Sequence, residues 1–221
     1  MPGMPRYRGL RRTANRPALM GAAEELFGLR GFANVSVDEI TARAGVAKGT
    51  FYNHFADKAD IANHIALEIR TGLRERIGQM KSTSSDPARH LALAMSLFLL
   101  LALEQPNRAL ILVSLSNDPT GIGSPMNAPV RLTMQNGEAS GRFRLASIEA
   151  SLIMVIGMVS AGIRNLIEQP TRAPSSHIAD LVVHALRSLG LEWDDARAIA
   201  EETVAKLQRI GSEMHVSQRL R

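Results

Sequence analysis

The chain has 221 residues, 26 Lys and Arg against 21 Asp and Glu, a formal net charge of +5 and no cysteine. That length suits one or two domains with a sizeable buried core. The missing thiols exclude disulfides and thiolate metal sites and agree with a reducing compartment, while the basic balance is consistent with a polyanionic partner. No apolar core of a signal peptide occurs near the N-terminus, where Arg residues stand instead. The longest apolar runs, 91–103 and 152–163, fall short of the roughly 20 residues that cross a bilayer. They read as buried helices of a cytoplasmic protein without a membrane partner.

Residues 1–15 form a basic arm with Arg6, Arg8, Arg11 and Arg12 and no acid. Such an arm is either a solvated tail or a strand of charge lying along a phosphate backbone or in a minor groove. Pro17 is tolerated only near a helix start, so a first helix is expected from about Arg16 with Asn15 as its cap. Leu19, Ala22, Ala23, Leu26 and Phe27 then follow the spacing of one buried face, and Gly31 stops the helix.

A second helix opens on a capping box, Ser36 with Glu39 three residues on, and closes at Gly45, where a left-handed residue is favoured. Val37, Ile40 and Ala44 point inward. After the turn, residues 46–55 predict another short helix whose Phe51 and Phe55, four apart, close a small three-helix core. Two short helices joined through a glycine-containing turn make a helix-turn-helix, and the second helix of that motif can enter the major groove of DNA.

Asp57 is a plausible cap for a fourth helix running to about Met80, and residues 81–87 read as a Ser-rich loop ending in Asp86-Pro87. Helices are then expected at 88–104, 107–117, about 128–135, 145–168, 175–189 and 194–210. Gly137 and Gly141 bracket a turn before Phe143. No alternating β-pattern of useful length occurs, so the fold class is all-α. The expected domains are the basic arm 1–15, a helix-turn-helix domain 16–60, and a helical effector-binding and dimerisation domain 61–221.

At these positions the chain resembles a known family. Residues 19–27, Gly31-Phe32, Ser36 to Ile40, Ala44-Gly45-Val46 and Lys48 to Phe55 are similar to the DNA-binding head of tetracycline-repressor (TetR) family regulators, with Lys58 where that head ends in a basic residue. The match covers about the first 70 residues; beyond it only the general helical architecture and the Gly137 to Phe143 turn agree. The resemblance implies an all-helical homodimeric transcriptional regulator, a repressor released from a palindromic operator when a small molecule binds the body and shifts the helix joining body to head. Two positions depart from the family pattern. Ala47 stands where Ser often caps the third helix and touches phosphate, and Val37 replaces a frequent Thr. Losing such a cap costs on the order of 1 kcal/mol.

Lys48, Tyr52, His54 and Lys58 are the expected phosphate contacts, two cations and two neutral donors that set register without reading sequence. Ser36 can join them beside its capping role. Gly49 lets the backbone approach the duplex closely. Thr50 and Asn53 suit bases, Thr against a thymine methyl and Asn against adenine N6 and N7, and the Ala47 methyl can also meet a thymine. Arg43 can reach a guanine, a phosphate or only solvent.

In the body, Gly157, Ser160, Ala161 and Gly162 allow close helix approach, so the helices near 145–168 and 175–189 are expected to form a two-fold interface. Met95, Met126, Met134, Met154 and Met158 are candidates to line an adaptable pocket for a small apolar effector, although Met more often fills core gaps; Glu104, Arg108 and Arg164 could orient it, with salt-bridged surface placement the favoured reading for each. No cofactor or metal is expected, since His177 and His184, two turns apart, are too far apart for one ion in most geometries. Without a thiol, a Gly-x-Ser-x-Gly elbow or a phosphate-cradling Gly loop, the chain does not read as an enzyme. The competing reading is a DNA-binding regulator or activator with no small-molecule ligand.

Overall fold

The computed structural model describes residues 6–80, 85–115 and 127–219 of the chain. Among them the regular elements are helical: α1 (Arg6–Arg30), a single 3-10 turn (Phe32–Asn34), α2 (Val37–Ala44), α3 (Lys48–Tyr52), α4 (Lys58–Met80), α5 (Pro87–Glu104), α6 (Pro106–Leu115), α7 (Ala128–Ala139), α8 (Ile148–Glu168), α9 (Pro174–Ser188) and α10 (Trp193–Arg219). The helices pack as two units. One comprises Met1–Thr71 with Gln105–Asn117, the other Gly72–Glu104 with Asp118–Arg221, so the division falls inside α4.

In the first unit, α1 starts at Arg6 rather than near Arg16, and Pro17 lies inside it. A mid-helix proline forfeits one bond of the ladder. Of the residues ahead of it, the arginines, Leu10 and Ala14 are strong helix formers and carry the helix through. Leu19, Ala23, Phe27, Ile40, Phe51, Phe55, Ile61 and Ile65 are buried there, so the three short helices and the start of α4 share one apolar centre. α6 lies against α1: the Asn107 side chain covers Gly28, where a Cβ would come within 2.2 Å of it, and Arg108 pairs with Glu24 at 3.3 Å. Arg108 thus takes the salt-bridged placement favoured for it over a ligand-orienting one.

The second unit is built round α5. Leu91, Met95, Met134, Phe143, Leu152, Val155, Val182, Leu186, Leu189, Leu191 and Ile199 form its core, with Met154 and Met158 packed at the margin. Met126 falls outside the described residues. Gly137 does not end α7, which continues to Ala139. The Phe143 ring lies directly on Gly137, where a Cβ would meet it at 1.9 Å, and the Phe143 N–H donates to the Gly137 carbonyl at 2.9 Å. Gly141, with φ of 70°, makes the intervening turn. The same turn projects Arg142 between two helix starts, where it binds Asp86 at 3.0 Å and Asp195 at 2.6 Å. Burial would raise the Asp86 carboxyl, but bonds from Arg142 and the Ala88 N–H outweigh it and hold its pKa below the ordinary range.

Three boundaries move. α8 begins at Ile148 because Ser147 caps it through the Ala150 N–H, α3 stops at Tyr52, and α10 runs to Arg219. α5 and α8 are also long and apolar enough, by length and composition alone, to cross a membrane, which their uninterrupted apolar runs are not. Glu104 is bound by Arg76 at 2.9 Å, a surface ion pair.

Candidate nucleic-acid interface

The site grows out of α2. Its first turn is closed by the Ser36–Glu39 box: the Glu39 N–H donates to Ser36 Oγ at 3.3 Å, and the Ser36 N–H donates to Glu39 Oε2 at 2.8 Å. Arg30 binds the same carboxylate at 2.6 Å. The bond from the Ser36 backbone, then Arg30, pull Glu39 down from 4.5 to about 2. Gly45 takes the left-handed conformation (φ 66°, ψ 32°), and its N–H and that of Val46 satisfy the last carbonyls of α2. The chain thereby turns sharply into α3, whose Phe51 is fully buried and fixes the other side of that short helix outward.

Ala47, Lys48, Gly49, Tyr52 and Asn53 are all exposed, and Thr50 is half-buried, so the structure brings most of the expected contacts onto one stretch of surface. Ala47 occupies the cap position of α3 without a side-chain cap, as its methyl dictates, though its carbonyl accepts from the Thr50 N–H at 2.8 Å. A Cβ built on Gly49 meets nothing within 4 Å. Tyr52 packs edge-on against Phe51 and leaves 54% of its surface open.

Three expected contacts are differently placed. Lys58 folds back: its Nζ donates to the carbonyls of Phe32, at 2.8 Å, and Val35, at 2.7 Å, and sits 4.5 Å from the Phe32 ring. It holds the 3-10 turn instead of joining the exposed row. His54 is half-buried beside Phe55, with Nε2 enclosed and no hydrogen-bond partner among the described residues. Arg43 grips Glu25 of α1 through both carboxylate oxygens, at 2.7 and 2.6 Å. Lys48 likewise meets Asp38 of α2 at 2.7 Å. Sequence reasoning missed these two carboxylates, because ten and eighteen residues separate the partners and only the fold brings them together. In the body, His177 bonds to Asn165 and His184 lies against Trp193, so neither faces the other as a ligand pair.

Residues 19–65, which contain this whole arrangement, match the family described as bacterial regulatory proteins, tetR family. That stretch of the chain is tetR-family sequence. The chain is 35% identical over 81 residues to the HTH-type transcriptional repressor DhaR of Mycobacterium sp. (strain GP1), covering 36% of this chain and 41% of that one. It is 33% identical over 89 residues to the HTH-type transcriptional activator FasR of Mycolicibacterium smegmatis, covering 40% and 41%. These alignments span about two fifths of the relatives' own lengths. The fold likeness extends further. The crystal structure of RolR in complex with resorcinol superposes with a TM-score of 0.63 over 87% of this chain and 95% of that one, at 23% identity. A tetR-family regulator from Shewanella sp. PV-4 gives 0.69 over 80% and 99%, at 20% identity. The tetR family and these relatives are regulators of transcription and not enzymes.

Proposed function

We propose that this protein is a tetR-family, sequence-specific DNA-binding transcriptional regulator, a homodimer acting as a repressor that a small apolar effector releases from a palindromic operator. The observation that carries the reading is the α2–turn–α3 arrangement. A capped helix, a left-handed Gly45 and a buried Phe51 leave Lys48, Gly49, Tyr52 and Asn53 exposed together. On a duplex, Lys48, Tyr52 and Ser36 bind phosphates, and Gly49 admits the backbone closely. Thr50, Asn53 and the Ala47 methyl read base edges. His54 joins them through its other ring nitrogen or after its ring turns. Arg43 takes a guanine or a phosphate, and Lys58 supports the turn from within. Such a protein works in the cytoplasm, where the DNA is.

The dimer is supported by α8, where Ile153, Gly157 and Ala161 are exposed at successive steps of four while the opposite side is buried. With α9 this face suits a two-fold interface. An effector is supported by Ser96 of α5, which is completely buried with its Oγ unpartnered among the described residues. A hydroxyl so placed gains from a ligand that accepts or donates one hydrogen bond. The names of the relatives include both a repressor and an activator, which keeps activation without a ligand as the second reading.

A mobility-shift titration on the DNA flanking the protein's own coding region tests the proposal. Tight, salt-sensitive binding by a dimer is expected, lost on adding a compound that raises the melting temperature. Binding that no stabilising compound weakens favours the second reading.

A further inference from the structure

Between residues 19 and 65 the proposed DNA-binding head carries four cations, Arg30, Arg43, Lys48 and Lys58, and six carboxylates. Within this stretch carboxylates outnumber cations, an unusual balance beside a polyanion. Each of those cations is already engaged in the free protein: Arg30 on Glu39, Arg43 on Glu25, Lys48 on Asp38, and Lys58 on backbone carbonyls. The carboxylates differ in what else they do. Glu39 caps α2, so its place needs no duplex to explain it. Glu25 stands in α1 five residues before its end, and its carboxylate has Arg43 as its partner. Asp38 lies in the first turn of α2, which favours a negative charge, and its carboxylate binds Lys48. Both pairs are exposed, with side-chain accessibilities of 42–67%, and exposed pairs contribute little to stability.

We propose that Asp38 and Glu25 are specificity-tuning residues that occupy Lys48 and Arg43 in the free protein and compete with DNA phosphate for them, holding down sequence-independent binding. This rests on the DNA-binding reading of the α2–α3 surface. A phosphate that approaches Lys48 must displace the Asp38 carboxylate or share the ammonium with it, and two anions on one cation repel. Arg43 poses the same exchange more stringently, because Glu25 takes it with both oxygens. Each exchange discounts the contact that any sequence offers, since every sequence offers the same phosphates. Base contacts by Thr50 and Asn53 are not discounted, so cognate DNA supplies what the phosphates alone cannot. The bonds to Asp38 and Glu25 also raise the pKa of Lys48 and of Arg43, which agrees with cations held tightly before any duplex arrives.

The test uses the full-length protein, a random-sequence duplex and a series of salt concentrations. Asp38→Asn and Glu25→Gln are each expected to bind about two- to fivefold more tightly than wild type, the size of an exposed ion pair that no longer has to be broken. The salt dependence should steepen by up to about one unit for each freed cation. In the Lys48→Ala background Asp38→Asn should bring no gain over Lys48→Ala alone, which isolates the pair as the cause. Melting temperatures recorded alongside separate a loss of fold from a loss of competition, and Glu25→Gln touches no helix start. Unchanged or weaker binding by both variants overturns the proposal. If wild type binds no duplex at all, the DNA-binding reading itself fails, and that is visible before any substitution is made.

Discussion

α5 and α8 are the two most apolar helices in the chain, of nearly equal length, yet they are used differently. In α5, 56% of the most apolar window is buried, and the buried residues Leu91, Ala92, Leu93, Met95, Ser96, Leu97 and Leu99 run round the whole helix. In α8 only 33% is buried. Leu152, Val155, Gly162, Ile163 and Leu166 face the core, while Ile153 keeps 54% of its surface open. The two glycines of α8 record the same division. A Cβ on Gly162 would press on Leu99 and Leu181 at 2.7 and 2.9 Å, whereas one on Gly157 meets nothing within 4 Å. Composition alone does not tell a helix buried all round from one with an open apolar face; the difference lies in how much apolar surface the fold leaves over.

The largest expected effect is on α5. Leu99→Ala should lower stability by about 2–5 kcal/mol, as for other fully buried leucines, read from urea unfolding. Ile153→Ala should leave the monomer's stability nearly untouched. If it costs as much as Leu99→Ala, the comparison is broken and the α8 face is covered within one chain. Ile153→Glu should instead weaken self-association by about tenfold to a hundredfold, as the loss of a central interface contact does, measured by sedimentation equilibrium. In that dissociated background Gly157→Ala should stabilise by about 0.5–1 kcal/mol, the usual cost of a glycine in a helix, while Gly162→Ala should bring no such gain. Urea midpoints of the two variants decide it.

The smallest effect concerns the helix starts. α5 is capped by the Asp86 carboxylate, α8 by the Ser147 hydroxyl, which does not titrate in this range. Since the folded pKa of Asp86 is held below its unfolded value of 3.8, its contribution is complete above that value and lost as pH falls through the folded one. Acid should therefore weaken the α5 cap, and Asp86→Asn should flatten the fall in melting temperature on acidification below about pH 4. A slope unchanged by the substitution would contradict this.

What the sequence discloses follows the range of the interaction. The start and stop of α2 were readable because Ser36, Glu39 and Gly45 act within a few residues of themselves. The three-helix core was readable from the spacing of Leu19, Ala23, Phe27, Phe51 and Phe55. The expectation for Lys58 was incomplete: residue type marks a cation, but the carbonyls of Phe32 and Val35 that receive it lie more than twenty residues earlier. Gly137 looked like a helix end and is instead a place where Phe143 comes close. The start of α1 lies earlier than Pro17 suggests because Arg6, Arg8, Leu10, Arg11, Arg12 and Ala14 ahead of it favour a helix. The partners of Arg43, Lys48 and Arg142 are set by tertiary structure, and no local pattern announces them.

Selection of bound sequences from a random duplex pool by the wild-type protein tests the whole account most directly. The expected result is an enriched inverted repeat whose half-sites lie about one helical turn apart or a multiple of it, as two symmetric heads require. Enrichment of nothing, or of one unsymmetric site held by a single chain, contradicts it.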